Sequence, residues 1–150
     1  FQKIKKLLES MGTVTYVGKT GSGQVAKLAN QAIVGITIGA VSEALILAEA
    51  AGANPKAVRQ AIKNGFAGSP ILEIHGKRIL EKKFKPGGKS STQLKDMKNV
   101  AETAKTLNIS LPLSEKVKKL YKKLVEDGNS NLDHSALYLL IKKIKKNPAL

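Results

Sequence analysis

The sequence predicts an all-α helical bundle built on one long central helix, preceded by a short helix and a strand. Three observations support this fold class. An apolar helical pattern runs unbroken over about residues 22–51. Shorter amphipathic patterns with helix start and stop residues follow it, and β-type alternation is confined to the residues before the long helix. The 150 residues, 42% of them apolar, can bury the core of one such domain.

The first twenty residues contain a pattern that is not purely helical. Residues 2–10 predict a short amphipathic helix from the spacing of Ile4, Leu7 and Leu8, and residues 13–18 are a β-branched and aromatic run that predicts a strand. A lone strand cannot form a sheet, so we expect it to pair with strands of a domain upstream. The chain begins at Phe1 instead of Met, which fits a cut inside a longer protein.

A glycine-rich turn at residues 18–23 leads into the long helix. The helix would span about 30 residues, or about 45 Å at 1.5 Å per residue, and Gly52 ends it. Gly35 and Gly39 allow close helix packing, so this helix is expected to be the centre of the bundle. The turn matches neither the Gly-x-Gly-x-x-Gly order of dinucleotide sites nor a P-loop.

Five shorter helices are predicted after the long one. Asn54-Pro55 and Ser69-Pro70 each supply an N-cap followed by a first-turn proline, and Gly128 ends a later helix. The predicted helices cover residues 54–65, 69–81, 92–107, 114–127 and 135–146, with a loop over residues 84–91. Everything after residue 20 therefore predicts one helical domain.

The composition argues against metal and thiol chemistry. The chain has no cysteine, which excludes a disulfide scaffold, a cysteine nucleophile and a thiolate zinc site. Its two histidines, His75 and His134, are far apart in the sequence, so a histidine metal cluster has little support. We predict no metal. Each histidine is interpreted as a capping or packing residue.

The charge balance raises an alternative function. Lys and Arg number 26 against 11 Asp and Glu, a formal net charge of +15, which would attract nucleic acid. A basic helical module with a helix-turn-helix over residues 54–68 is therefore the rival hypothesis. Against it, lysines are spread over helix faces and aromatic residues make up only 4%. We favour a solvated lysine surface over a nucleic-acid partner.

The longest apolar stretch, residues 32–51, approaches the length of a membrane span. Ser42, Glu43 and Glu49 interrupt it, and carboxylates inside a bilayer are costly. The sequence therefore predicts a buried helix of a cytoplasmic protein and no membrane partner.

Lys27 is the candidate for chemistry inside the long helix. Asn30 and Gln31 follow it by three and four residues, so an ammonium and two amides share one helical face. Apolar neighbours in the sequence predict that Lys27 is partly withdrawn from water, which favours proton transfer. The alternative is a lysine that extends to solvent from the first turns of a helix.

A set of motifs resembles the β-hydroxyacid dehydrogenases, the family that includes the 3-hydroxyisobutyrate and 6-phosphogluconate dehydrogenases. Residues 18–30 resemble its Gly-x-x-Gly-x-Gly-x-x-x-Lys-x-x-Asn segment, and the rest follows in order. The further matching motifs are Ser42-Glu43-Ala44, Ala67-Gly68-Ser69, Phe84-Lys-Pro-Gly87, Lys95-Asp96, Leu111-Pro112-Leu113 and Asp133-His-Ser-Ala-Leu137. Residues 27–31 and 133–137 resemble most the branch that reduces tartronate semialdehyde. The resemblance covers essentially the whole chain.

The resemblance implies a role for each residue of the site. Lys27 would be the general acid/base of a hydride transfer between NAD or NADP and a short 3-hydroxy acid or its semialdehyde. The expected substrate-binding residues are Asn30, Gln31 and Gly23. Lys95 and Asp96 are expected to contact the cofactor.

The same resemblance implies how the protein is organised. Residues 1–20 would be the end of a Rossmann domain that binds most of the cofactor, and residues 21–150 an all-helical catalytic and dimerisation domain. The chain alone would then be inactive, and a homo-oligomer that binds a small carboxylate substrate is expected. A pure oligomerisation domain, in which Lys27 has no role, is a third possibility.

One motif departs from the family pattern. Family members often have an aromatic residue after the Pro-Gly of the 84–91 loop, where this chain has Gly88. We expect a looser closure over the nicotinamide or a different substrate.

Overall fold

The structure, a computed structural model, describes the backbone of residues 1–146 and the side chains of residues 1–144. Within this range the chain forms seven α-helices: α1 (Lys5–Glu9), α2 (Ser22–Ala50), α3 (Pro55–Ile62), α4 (Pro70–Leu80), α5 (Ser90–Thr106), α6 (Pro112–Leu124) and α7 (Leu137–Lys146). Short non-α turns cover Gln2–Ile4, Val125–Asn129 and His134–Ala136. The predicted all-α class is confirmed.

Helix α2 is the centre of the bundle, as predicted. It contacts α3, α4, α5, α6 and α7. Ile38 packs into the larger apolar cluster with α5, α6 and α7, and Val41 and Leu45 pack into a smaller cluster with α4. The helix ends where its sequence predicts, with Gly52 at a φ of 76°. The first half of α2 is mostly exposed, and this is the half that carries Lys27.

Side-chain caps fix the starts of α3 and α4. Asn54 Oδ1 accepts a hydrogen bond from the amide of Lys56 at 2.9 Å, and Ser69 Oγ accepts one from Leu72 at 3.1 Å. Each cap is followed by a proline in the first turn, as predicted. The region proposed for a helix-turn-helix, residues 54–68, contains α3 alone, followed by turns. The geometry that the nucleic-acid hypothesis required is therefore absent from this segment.

Four helix starts differ from the sequence prediction by two or more residues. Helices α1 and α7 begin later than predicted, because Gln2–Ile4 and His134–Ala136 form 3₁₀ turns before them, and α5 and α6 begin earlier. Helix α5 begins at Ser90, two residues early, because the buried Ser90 bonds the carbonyl of Leu132 through both its amide and its hydroxyl. Helix α6 begins at Pro112 instead of Ser114, since a proline suits the first helical position.

The predicted strand over residues 13–18 is not formed. Residues 13–17 form no β-ladder with any other described residue. The isolated β-bridge found in the described part of the chain joins Lys89 and Asp133. The physical reason is that β-structure requires a neighbouring strand.

Helix α2 is also long and apolar enough to cross a membrane by length and composition. Its buried residues, such as Gly35 and Ile38, face other helices of the bundle. Its first half carries the polar Lys27, Asn30 and Gln31. This distribution is that of a core helix that packs within a protein.

Candidate functional site

Lys27, Asn30 and Gln31 form one hydrogen-bonded group on α2. Lys27 Nζ donates to Gln31 Oε1 at 3.0 Å, and Asn30 Nδ2 donates to the same oxygen at 2.9 Å. The four-residue spacing places Lys27 and Gln31 on the same face, one turn apart. Because a lysine can only donate, this contact also fixes which end of the Gln31 amide is the oxygen.

Helix α5 holds Gln31 from the other side. Gln31 Nε2 donates to Asp96 Oδ2, and Asp96 Oδ1 lies 3.2 Å from Lys95 Nζ. Asp96 is largely buried, whereas the Lys95 side chain is 65% exposed. Contacts therefore link five of the six residues that the sequence singled out, from Lys27 and Asn30 through Gln31 to Asp96 and Lys95.

Gly23 is placed near the site by its position on α2, not by a contact with the other site residues. It lies in the first turn of α2, four residues before Lys27 and so on the same face. A Cβ at Gly23 would meet nothing within 4 Å. The turn before it is tighter: Gly18 has a φ of 129°, and a Cβ there would lie 2.6 Å from Ser22 Oγ.

The expected partial burial of Lys27 is not found: the residue is exposed. Its sequence neighbours Ala26 and Ala29 are exposed as well, whereas Leu28 is half-buried. Apolar neighbours along a helix do not bury a side chain unless another element covers that face. The Lys27 face is thus open to a substrate or to another domain.

Asp133, at the entry to the last helix, is the most densely bonded side chain near the site. Oδ1 accepts from the amide and hydroxyl of Ser135 at 3.0 and 2.6 Å. Oδ2 accepts from the Gly87 amide at 2.9 Å and from Arg78 Nη1 at 3.2 Å. Burial alone would raise the pKa of Asp133, but the neighbouring His75, Ser135 and Gly87 outweigh it and hold that pKa well below its usual range.

The two histidines lie side by side, which the sequence reasoning did not foresee. His134 Nε2 is 3.2 Å from His75 Nε2, and the rings meet edge to face with centroids 4.5 Å apart. Burial, together with the neighbouring His75, lowers the pKa of His134 from 6.5 to about 4. The helix cap at this position is Asp133, whose carboxylate accepts the Ser135 amide. No sequence signal links the histidines, because α4 and the entry to α7 meet only through the fold.

Distances alone would allow a metal ion at this cluster. One ligand atom from each of His75, Asp133 and His134 lies within 4.8 Å of the others. The carboxylate, however, already accepts hydrogen bonds from five protein groups, and one of them is the Arg78 guanidinium, which would repel a cation. We therefore interpret the cluster as a hydrogen-bonded network.

The 84–91 loop, which departs from the family pattern at Gly88, is hydrogen-bonded to Asp133 and His134. The carbonyl of Gly88 accepts the amide of His134 at 2.8 Å, and the carbonyl of Phe84 accepts that of Asp133 at 2.9 Å. A Cβ at Gly88 would lie 3.4 Å from the His134 ring. The His134 ring thus lies against the position where the family often has an aromatic side chain.

The fold is that of a class of protein, the helical domain of the β-hydroxyacid dehydrogenases. The sequence profile described as NAD-binding of NADP-dependent 3-hydroxyisobutyrate dehydrogenase matches residues 21–141. The chain belongs to this family of NAD(P)-dependent oxidoreductases, as the motifs indicated.

Two relatives show which members of the family this chain is similar to. The chain is 46% identical over 138 residues to 2-hydroxy-3-oxopropionate reductase of Escherichia coli K12, covering 91% of the chain and 47% of that protein. Tartronate semialdehyde is 2-hydroxy-3-oxopropionate. The identity to this reductase therefore confirms the resemblance that residues 27–31 and 133–137 indicated. The chain is also 33% identical over 143 residues to the probable 3-hydroxyisobutyrate dehydrogenase-like 1, mitochondrial, of Arabidopsis thaliana, covering 95% of the chain and 43% of that protein.

Solved structures agree on the fold. The crystal structure of 3-hydroxyisobutyrate dehydrogenase from Salmonella typhimurium matches with a TM-score of 0.86 at 25% identity, over 93% of this chain and 50% of that one. The Mycobacterium tuberculosis 3-hydroxyisobutyrate dehydrogenase matches with a TM-score of 0.81 at 23% identity, over 93% and 50%. The chain therefore spans about half the length of the relatives that it matches.

Proposed function

We propose that this chain is the helical half of an NAD(P)-dependent oxidoreductase that interconverts a short 3-hydroxy acid and its semialdehyde. The observation that carries the proposal is the contact series from Lys27 through Gln31 and Asp96 to Lys95, which lies at an open face of α2 in a member of this family. Residues 1–20 would be the end of a Rossmann domain, and residues 21–150 would complete the active site. The chain alone would then be inactive.

Lys27 would act as the general acid/base. Within the described part of the chain Gln31 accepts one of its three N–H donors, so two remain for a substrate oxygen. In the reducing direction the ammonium would protonate the carbonyl oxygen as it gains electron density. In the oxidising direction the neutral amine would take the hydroxyl proton.

Asn30, Gln31 and Gly23 would surround the substrate. The amide oxygen of Gln31 already has two donors and its nitrogen donates to Asp96, so Gln31 is best suited to orient Lys27 beside the substrate. Asn30 keeps hydrogen-bonding capacity for a hydroxyl or carboxylate. Gly23, with open space beside it, lets a substrate approach the backbone one turn before Lys27.

Lys95 and Asp96 would be the contribution of this chain to the cofactor site. The Lys95 ammonium is exposed and held at 3.2 Å by the largely buried Asp96, which suits it to meet an anionic or amide group from an adjoining domain. The bound nicotinamide would supply or accept the hydride. The residues present fit such a group because the α2 face beside them is uncovered.

The partners and the location follow from the same proposal. Exposed apolar side chains on α2, Ile33 at 65% and Leu47 at 70%, favour a homo-oligomer that covers this helix. The substrate would be a small carboxylate, and the location cytoplasmic. Four lysines of the described residues form i,i+4 pairs, such as Lys123 with Asp127 at 2.7 Å, so a small part of the positive charge is locally balanced.

The test is turnover by the complete enzyme that carries this chain. Oxidation of NADH and of NADPH is followed by absorbance with tartronate, succinic and methylmalonate semialdehydes. We expect turnover with at least one semialdehyde and a preference for one cofactor. A folded enzyme that turns over none of the three, or that binds DNA at physiological salt instead, would contradict the proposal.

A further inference from the structure

Gln93 is a buried glutamine that connects the lysine site to the histidine pair. Its side chain lies on α5 and is 2% exposed. Nε2 donates to the main-chain carbonyl of Gln31 at 3.2 Å, and Oε1 lies 3.3 Å from His134 Nδ1. Both ends of the amide are therefore used, as expected for a polar group inside a core.

The close approach of α2 to α5 at this point depends on Gly35. A Cβ at Gly35 would lie 2.8 Å from Gln93 Nε2 and 2.9 Å from Met97 Sδ, both shorter than real Cβ contacts. Gly35 therefore lets Gln93 reach the carbonyl of Gln31, one turn earlier on α2.

The directions of the two Gln93 hydrogen bonds follow from its partner on α2, the main-chain carbonyl of Gln31. A carbonyl only accepts, so Gln93 presents its Nε2 to Gln31 and its Oε1 to His134, and His134 must donate from Nδ1. The low pKa of His134, about 4, keeps its ring neutral near pH 7, so Nε2 is an acceptor and His75 Nε2 is the donor. The other nitrogen of that ring, His75 Nδ1, lies 3.5 Å from Asp133 Oδ1.

Helix α5 thus holds one residue of α2 at two points. Gln93 bonds the main chain of Gln31, and Asp96, three residues later, bonds its side chain. Two contacts one turn apart on α5 restrict both the rotation and the sliding of α2 at Gln31. Lys27 takes its position from Gln31 Oε1, so the restriction extends to the ammonium.

We propose that Gln93, oriented by His134 and His75, is a positioning residue that sets the placement of Gln31 and Lys27 for the reaction. This inference rests on the proposed function. It assigns a task to three residues outside the substrate-binding and cofactor-binding residues proposed above. It also distinguishes Gln93 from a core residue whose only effect is on stability.

The decisive variant is Gln93→Met in the complete enzyme, because methionine has a similar length and forms neither hydrogen bond. The control is Val100→Ala, a buried position on the same helix two turns further along. We expect Gln93→Met to lower kcat about tenfold, equivalent to about 1.4 kcal/mol, with the KM for the cofactor unchanged. Val100→Ala should lower the melting temperature and leave the kcat of the folded enzyme unchanged.

Two further measurements keep the inference testable if Gln93→Met does not fold. His134→Asn keeps a donor near the position of Nδ1 and should retain most of the wild-type kcat, whereas His134→Leu should not. In the wild type, imidazole ¹⁵N NMR at pH 7 should show His134 neutral and protonated at Nδ1. A proton at Nε2 would overturn the inference.

The outcomes separate the inference from the proposal beneath it. A wild-type enzyme without turnover overturns both. An active wild type that loses turnover in Lys27→Ala but keeps it in Gln93→Met overturns the positioning role alone, and Gln93 is then a packing residue.

Discussion

Gln31 of α2 and Asp96 of α5 are joined by a hydrogen bond between residues that lie 65 positions apart in the chain. The bond leaves the amide oxygen of Gln31 facing Lys27. The position of the Lys27 and Gln31 side chains on α2 is therefore set by the packing of a second helix against it. The proposed chemistry depends on this helix pair as much as on the lysine.

Replacing Gln31 should impair activity without unfolding the protein. Gln31→Leu removes the acceptor for Lys27 and the donor to Asp96. Since a small misplacement of a catalytic group is costly, kcat/KM of the complete enzyme should fall on the order of tenfold to a hundredfold. Gln60→Leu, an exposed glutamine on α3, is the control and should match the wild type. Equal kcat/KM in the two variants would refute the orienting role of Gln31.

Two glycines of α2 should respond in opposite ways to alanine. Gly35→Ala would press on Gln93 and Met97 at under 3.0 Å and should destabilise the chain by about 1 to 3 kcal/mol. Gly39→Ala meets its nearest neighbour at 3.9 Å and should stabilise it by up to about 1 kcal/mol, because alanine favours a helix interior. Urea unfolding measures both. A Gly35→Ala variant with the same free energy of unfolding as the wild type would mean that α2 and α5 can separate freely.

Removing the charge of Asp133 should be strongly destabilising. Asp133→Asn leaves Arg78 without its carboxylate and weakens the bonds to Ser135 and the 84–89 loop. Breaking a buried ion pair on one side costs roughly 3 kcal/mol, which urea unfolding would detect. Asp127→Asn removes an exposed carboxylate and serves as the control, with little change expected. A loss no larger than that of the control would argue against the network.

Stability should fall as the pH is lowered from about 6.5. The folded pKa of His134, about 4, lies below its ordinary 6.5, so between these values the unfolded chain binds the proton more readily. The loss should be on the order of 3 kcal/mol by pH 4. Asp133, whose pKa is held below the ordinary 3.8, adds a further loss at lower pH.

Unfolding free energies at pH 7, 5.5 and 4 test this dependence. His134→Asn should flatten the change between pH 6.5 and 4, because asparagine does not titrate. An unchanged slope in that variant would place the titrating group elsewhere.

Local sequence rules predicted most of the fold. Caps and prolines at Asn54-Pro55 and Ser69-Pro70 set helix starts that the structure reproduces, and the end of α2 at Gly52 follows the same rules. The start of α5 was missed because the bond between Ser90 and Leu132 joins distant parts of the chain. The strand predicted over residues 13–18 is not formed, because strand propensity cannot supply a pairing partner.

Only the site residues that lie in sequence motifs could be predicted. Helical spacing placed Lys27 beside Gln31, and the family resemblance pointed to Lys95 and Asp96. The link through Gln93 and the pairing of His75 with His134 carry no local signal, because they depend on how α2, α4, α5 and the turn before α7 pack. The exposure of Lys27 was missed for the same reason.

The most direct measurement is single-turnover reduction of a semialdehyde by the complete enzyme, with Lys27→Ala beside the wild type and Lys119→Ala as a surface control. Loss of a general acid should slow the hydride-transfer step by about 10²- to 10⁴-fold, with cofactor binding retained and the control unchanged. A Lys27→Ala enzyme as fast as the wild type would contradict the central role of Lys27 and favour a domain that serves only to assemble the protein.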